Sequence, residues 1–188
     1  MSIIAEKYEY INKKNKKFNI NIVYDESAES PREWDNLGKM ICFHSRYNLP
    51  NEQDLTNFKT DNFNSWEEMK KELIKEYNPC LILPVFMYDH SEVSLNTEGF
   101  YCQWDSGQIG FILATKKQVK EEWKVKRISK KLKSLIEKNL KGEVETYSQY
   151  LNGDVFGFEI TDENDEFLDS CYGFYEIEEV KKQAECFC

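Results

Sequence analysis

Two stretches, Cys80 to His90 (CLILPVFMYDH) and Gly107 to Thr115 (GQIGFILAT), are almost unbroken apolar runs rich in β-branched and aromatic residues. Runs of that length with charge only at their ends predict two adjacent, buried central strands. Elsewhere the pattern alternates. Phe18, Ile20, Ile22 and Tyr24 share one face, and Ile3 to Ile11 precedes them across the lysine-rich turn NKKNKK, so residues 1–25 read as a hairpin. Phe156, Phe158 and Ile160 repeat the alternation between Asp154 and Thr161, Asp162 to Asp165 turns, and Glu166 to Tyr175 returns. A short run, Met40 to Phe43, follows the turn Asp35-Asn36-Leu37-Gly38.

Other segments carry a helical period. Ser65 with Glu68 forms a capping box ahead of Trp66, Met69, Leu73 and Tyr77, and Asn78-Pro79 ends that helix. Thr115 with Gln118 forms a second box that opens a helix through Val119 and Trp123. Ile128, Leu132, Leu135, Ile136 and Leu140 lie on one stripe with Lys130, Lys131, Lys133 and Lys138 off it. This predicts a docked helix with a basic outer face, stopped at Gly142 and followed by a short helix that ends at Gly153. EIEEVKKQAE reads as a C-terminal helix, and residues 48–64 as a polar loop with one helical turn around Glu52 to Phe58. Strands and helices come in clusters rather than in a βαβ rhythm. The expected class is therefore α+β, a mainly antiparallel sheet packed by two or three helices in a single domain, with hairpin 1–25, core 26–175 and a helix and tail 176–188.

Composition narrows the function classes. With 40% hydrophobic and 31% charged residues among 188, the chain is a folded protein with an ion-rich surface. The N-terminus lacks a signal peptide's basic start and apolar segment, and no apolar run approaches the ~18 residues that span a bilayer, which predicts a cytoplasmic protein without a membrane partner. Cys42, Cys80, Cys102 and Cys171 sit in apolar strand-like runs and read as reduced core thiols. Cys186 and Cys188 supply two donors of the four a soft metal needs, and read as a tail. The net charge of −9 is unevenly spread. Residues 116–141 hold 11 basic and 3 acidic groups, whereas 142–188 hold 2 and 13. The acidic total argues against direct nucleic-acid binding and leaves the basic stretch 116–141 as its one candidate.

Two constellations carry candidate chemistry. The first gathers both histidines with three acids: Asp35, His44, Asp89, His90 and Asp105. Imidazoles with carboxylates suit Zn, Mn or Fe, but no spacing resembles H-x-x-x-H or H-E-x-x-H, so no metal and no other cofactor is expected. Cys102 or Ser106 with His90 would pair a nucleophile with a base, although the local string W-D-S-G-Q is no nucleophile elbow and equally suits a tight turn. Asp162-x-Asn164-x-Glu166 starts like a calcium loop, but Phe167 stands where that loop needs Gly. No P-loop, G-x-G-x-x-G or C-x-x-C is present. The second constellation is the run of carboxylates Asp154, Glu159, Asp162, Glu163, Asp165, Glu166 and Asp169, which suits a cationic groove on a partner.

The strings PREWDNLG, CFH, RYNL, YDHS, WDSGQ, YSQYLNGDV and DSC-x-GFY together resemble a set of small proteins encoded by phages, plasmids and conjugative elements of low-GC Gram-positive bacteria, over residues 31–175. That resemblance implies an accessory protein of a mobile element. Its acidity and size then imply an anti-defence, anti-CRISPR-like inhibitor that binds a host CRISPR effector or restriction nuclease through the acidic surface. The alternative is a small metal-dependent hydrolase or nucleotide-modifying enzyme built on Asp35, His44, Asp89, His90, Cys102, Asp105 and Ser106. The reading leans away from an enzyme.

Overall fold

A computed structural model describes residues 2–47, 49, 63–102 and 104–188. The chain is α+β: the described residues are 33% helix and 35% strand and form four α-helices and two four-stranded antiparallel sheets. Its residues group into two compact units, 1–30 with 149–188, and 31–148.

The first unit is built from the two ends of the chain. Strands β1 (Ile4–Ile11) and β2 (Lys17–Tyr24) form the expected hairpin. In unit 2 come β3 (Lys39–Cys42), helix α1 (Trp66–Tyr77), β4 (Pro79–Asp89), β5 (Val93–Asn96), β6 (Ser106–Thr115), α2 (Lys116–Glu122) and most of α3 (Lys130–Asn152). The chain then returns to unit 1 with β7 (Phe156–Asp162), β8 (Phe167–Phe174) and α4 (Ile177–Phe187). Sheet order in unit 1 is β1-β2-β7-β8. The period-2 pattern of β2 and β7 sends Phe18, Ile20, Ile22, Phe156, Phe158 and Ile160 to one face, where Val180 and Ala184 of α4 cover them. The other face carries Asn19, Asn21, Glu159 and Thr161, aligned by the pairing of β2 with β7.

β8 is an edge strand with two irregularities. Ile160 pairs with Asp169 and Thr161 with Phe167, so Leu168 is skipped; Phe156 pairs with Phe174 and Gly157 with Tyr172, so Gly173 is skipped. Gly173 sits at φ 89°, a left-handed conformation that a bulge tolerates in glycine alone at little cost.

Unit 2 orders its strands β3-β6-β4-β5. The two apolar runs are neighbours as expected, and β6 is buried from Ile109 to Ala114 because it is central. β4 is only half-buried over Pro79–Pro84: β6 pairs with it there, but among the described residues its other edge gains a partner only from Phe86 onward, in β5. Met69 and Leu73 of α1 pack on Ile41, Phe111 and Leu113. On the opposite face Ile112 and Leu140 of α3 meet against Gly38.

Several local expectations change. Strands divide between two sheets instead of joining one, because β2 takes β7 as its neighbour across all of unit 2. The hairpin 1–25 therefore shares a sheet with residues 156–174 of the motif-bearing segment. Gly142 does not end a helix. α3 runs on to Asn152, since Val144 and Tyr147 continue the buried stripe of Ile136 and Leu140, and burying two such side chains outweighs the ~1 kcal/mol that a mid-helix glycine costs. Leu135, placed on that stripe by its spacing, is instead exposed. Cys42 is buried as expected, but Cys102 lies in the loop before β6, and Cys186 belongs to the last turn of α4 instead of a loose tail. The helical turn expected around Glu52 to Phe58 lies outside the described residues. Among the described residues no helix is long and apolar enough to cross a membrane.

Candidate functional site

Antiparallel pairing decides which candidate residues meet. β3 runs against β6 with Lys39 opposite Leu113 and Cys42 opposite Gly110, so His44, past the C-terminal end of β3, comes to the end of β6 that holds Ser106 and Gln108. Tyr88 of β4 pairs with Ser106, and the Asp89 amide donates to the Asp105 carbonyl at 2.8 Å, which brings Asp89 to the same end. His44, Arg46, Met87, Asp89, Trp104 and Asp105 line a cleft there of about 340 Å³. Asp35 does not join it. The Asp35 turn precedes β3, at the other end of the strand, and lines a separate cleft with Gln118, Trp123 and Lys138. His90 does not join it either. Side chains alternate along β4, so Met87 and Asp89 point to the cleft while Tyr88 and His90 stack on each other, ring centroids 6.3 Å apart, on the other face.

Within the cleft the reactive groups are tied up. Asp89, its side chain 13% exposed, accepts from the Tyr47 hydroxyl at Oδ1 (3.0 Å), and its Oδ2 lies 2.8 Å from Arg46 Nη2. That contact is an ion pair by distance, while the angle leaves Oδ2 without a well-aligned hydrogen bond. The carboxylate in turn holds the Tyr47 phenol above its ordinary range. His44 Nδ1 accepts from the Arg46 amide at 3.2 Å, and its ring lies against that of Tyr47. The Cys102 thiol donates to Asp105 Oδ2 at 3.3 Å, where a nucleophilic thiolate needs a cation or an imidazole. The Ser106 hydroxyl donates to the Cys102 carbonyl, which takes no proton. Among the described residues, no three His, Cys, Asp or Glu side chains converge to hold a metal ion. The geometry thus offers a positioned carboxylate and an exposed Trp104, 96% accessible, but among the described residues neither Cys102 nor Ser106 is hydrogen-bonded to an imidazole. Arg46 and Tyr47, which orient Asp89, were beyond sequence reasoning because 42 residues separate Tyr47 from its partner.

The acidic constellation is different in kind. Unit 1 holds 7 basic and 16 acidic side chains, whereas unit 2 holds 18 of each, so the whole net charge of −9 resides in unit 1. Five of its seven bases lie in or beside the β1–β2 hairpin, and no basic residue occurs between Lys141 and Lys181. Strands β7 and β8 and the turn between them therefore carry no basic residue, while the lysine-rich turn of the hairpin lies at the same end of the sheet, because Phe18 pairs with Asp162.

Its carboxylates do several jobs. Asp162 Oδ1 accepts from the amides of Asn164 (2.8 Å) and Glu166 (2.9 Å), the Glu166 amide being the main cause of its lowered pKa, and so it holds the turn. Asp165 stands at φ 63° and accepts from Asn19. Glu159 accepts from Ser2 Oγ and the Tyr172 hydroxyl on the polar face. Asp154 accepts from Asn152, and Asp169 caps the amide of Ser170. Glu163 and Glu166 project from the turn as exposed side chains. Beside them Phe167 and Leu168, in the expected return strand, form an apolar pair that is 64% and 49% exposed. The basic stretch 116–141 is split between α2 and the first half of α3, with Lys130, Lys131, Lys133 and Lys138 exposed. Comparison with protein-family models, with curated proteins and with solved structures finds no match for this chain.

Proposed function

We propose that this protein acts by binding another protein, as an anti-defence inhibitor encoded by a phage or mobile element, and that the acidic β7–β8 side of unit 1 is its working surface. The observation that carries this reading is the confinement of the entire net charge of −9 to unit 1, on a side with no basic residue between Lys141 and Lys181. A one-signed field of that kind speeds encounter with a surface of opposite sign and disfavours like-charged partners. The partner it suits is a host CRISPR effector or restriction nuclease, whose nucleic-acid groove must itself be cationic. The enzymatic alternative loses support, because Asp35 and His90 lie away from the cleft that holds His44, Asp89 and Asp105.

The test is DNA cleavage by purified CRISPR and restriction effectors of a low-GC Gram-positive host, with and without the protein. Wild type should inhibit one of them, with inhibition weakening as salt rises from about 0.05 to about 0.3 M. The Glu163→Lys/Glu166→Lys variant should lose inhibition while its melting temperature stays nearly unchanged, since exposed positions outside caps and core cost under about 0.5 kcal/mol each. Inhibition that survives the double reversal, or cleavage unaffected by wild type in every case, would refute the acidic-surface reading.

A further inference from the structure

The tip of the β7–β8 hairpin has an organisation that charge alone does not require. Skipping Leu168 in the pairing of β8 with β7 puts two residues of one strand opposite a single position of the other, so Phe167 and Leu168 are both displayed, at 64% and 49% exposure. An ordinary alternating strand would turn one of two consecutive side chains towards α4. Around this pair stand Glu163 and Glu166 in the turn and Asp169 on the strand, all exposed, with Asp162 and Asp165 holding the turn's shape. Apolar residues inside a charged ring have the arrangement of an interface centre and rim.

The edge of β8 does not invite strand addition. Asp169 Oδ1 already takes the Ser170 amide at 2.8 Å, and the bulges at Leu168 and Gly173 interrupt the ladder at both ends. Recognition must come from side chains. Symmetric pairing of two β7–β8 surfaces is disfavoured, because neither strand nor the turn between them carries a basic residue and like charges would meet.

The geometry points to Phe167 and Leu168 as the anchor of the interface, inserted into an apolar pocket that basic side chains surround on the partner. This inference rests on the acidic-surface reading above and deepens it by dividing the labour: the carboxylates steer the encounter, and the apolar pair sets how long the complex lasts.

The probes are fluorescent twelve-residue peptides of fixed composition, measured by anisotropy against the full chain. One combines Lys and Arg with Leu and Phe, a second replaces the apolar residues by Ser and Gly, and a third replaces the basic residues by Ser and Gly. The first should bind tightest. Phe167→Ser/Leu168→Ser should weaken it at least about tenfold and bring it level with the second peptide, leaving the dependence on salt unchanged. Glu163→Lys/Glu166→Lys should instead reduce the salt dependence and weaken both basic peptides. Equal binding of the first two peptides by wild type, or no change on removing Phe167 and Leu168, overturns the anchor while leaving the charge reading in place. Loss of any preference for basic over uncharged peptides overturns both. Sedimentation provides a further check: self-association of wild type that Phe167→Ser/Leu168→Ser removes would make a second copy the occupant and overturn the inference.

Discussion

Glu143, near the middle of α3, grips Arg32 across 111 residues of chain: Arg32 Nη1 lies 2.9 Å from Glu143 Oε2, with the two side chains only 10% and 16% exposed. The same carboxylate accepts the amides of Leu37 (3.0 Å) and Gly38 (3.1 Å), and Arg32 also donates to the Gly38 carbonyl, so one acid locks the turn before β3 onto the helix. Removing one partner of a largely buried pair leaves the other charge uncompensated. Glu143→Met should therefore destabilise unit 2 by about 3 kcal/mol, and Arg32→Met/Glu143→Met should recover part of that loss. All four tryptophans lie between residues 31 and 148, so the urea midpoint followed by tryptophan fluorescence reports this unit alone. Gly38→Ala should be destabilising too, because its Cβ would come within 2.7 Å of Glu143 Oε2, Ile112 Cδ1 and Leu140 Cδ2. Additive losses in the double variant would show that Arg32 and Glu143 do not act as a pair.

The Tyr47 phenol is held above its ordinary value first by its hydrogen bond to Asp89. A raised folded value means the contact is fully present below about pH 10, the unfolded phenol's pKa, and is lost as pH rises through the folded value. Asp89→Asn should bring the Tyr47 titration, followed by ¹³C NMR of the ring, back towards about 10. A titration that stays where it was would assign the shift to some other group.

Asp162 gives the opposite sign. Its carboxyl is held below the usual range, chiefly by the Glu166 amide and further by Asn164, so the stability it lends exists above about pH 4 and disappears as pH falls through the lowered folded value. The difference in melting temperature between wild type and Asp162→Ala should shrink as pH is lowered from about 6 to about 2. A difference that persists at the acid end would mean the turn is held by something other than the charged carboxylate.

Much of the local structure was legible in the chain. The Ser65 hydroxyl accepts from the Glu68 amide and the Thr115 hydroxyl from the Gln118 amide, both at 3.2 Å, as their capping boxes predict, because caps are set by residues three apart. Gln118 departs from the motif in using its side-chain amide on the Asn36 carbonyl. Pairing across the chain was not legible. That β2 chooses β7 depends on burial summed over two whole strands, and β5, only four residues of VSLN, looks like part of a polar connection until β4 is beside it. The candidate cluster failed in the same way. Asp35 and His44 lie nine residues apart in sequence, yet β3 carries them to opposite ends of a sheet, and the face that His90 takes is decided by the parity of its distance from Asp89. The Gly142 stop signal was overridden by what lies on the next two turns of α3.

In unit 1 Tyr24 pairs with Phe156, and the Asp25 amide donates to the Val155 carbonyl at 2.8 Å, so the strand that completes the hairpin's sheet is encoded more than a hundred residues after it. At a translation rate of roughly 5–20 residues per second, β1 and β2 leave the ribosome about 7 to about 26 seconds before β7 does. A two-stranded hairpin is marginal on its own, and for that interval Phe18, Ile20 and Ile22 are without their cover. The string NKKNKKFNINI reduces this hazard: its four lysines and its alternating Asn19 and Asn21 add charge and polarity that disfavour pairing of a waiting apolar strand with a neighbouring nascent chain.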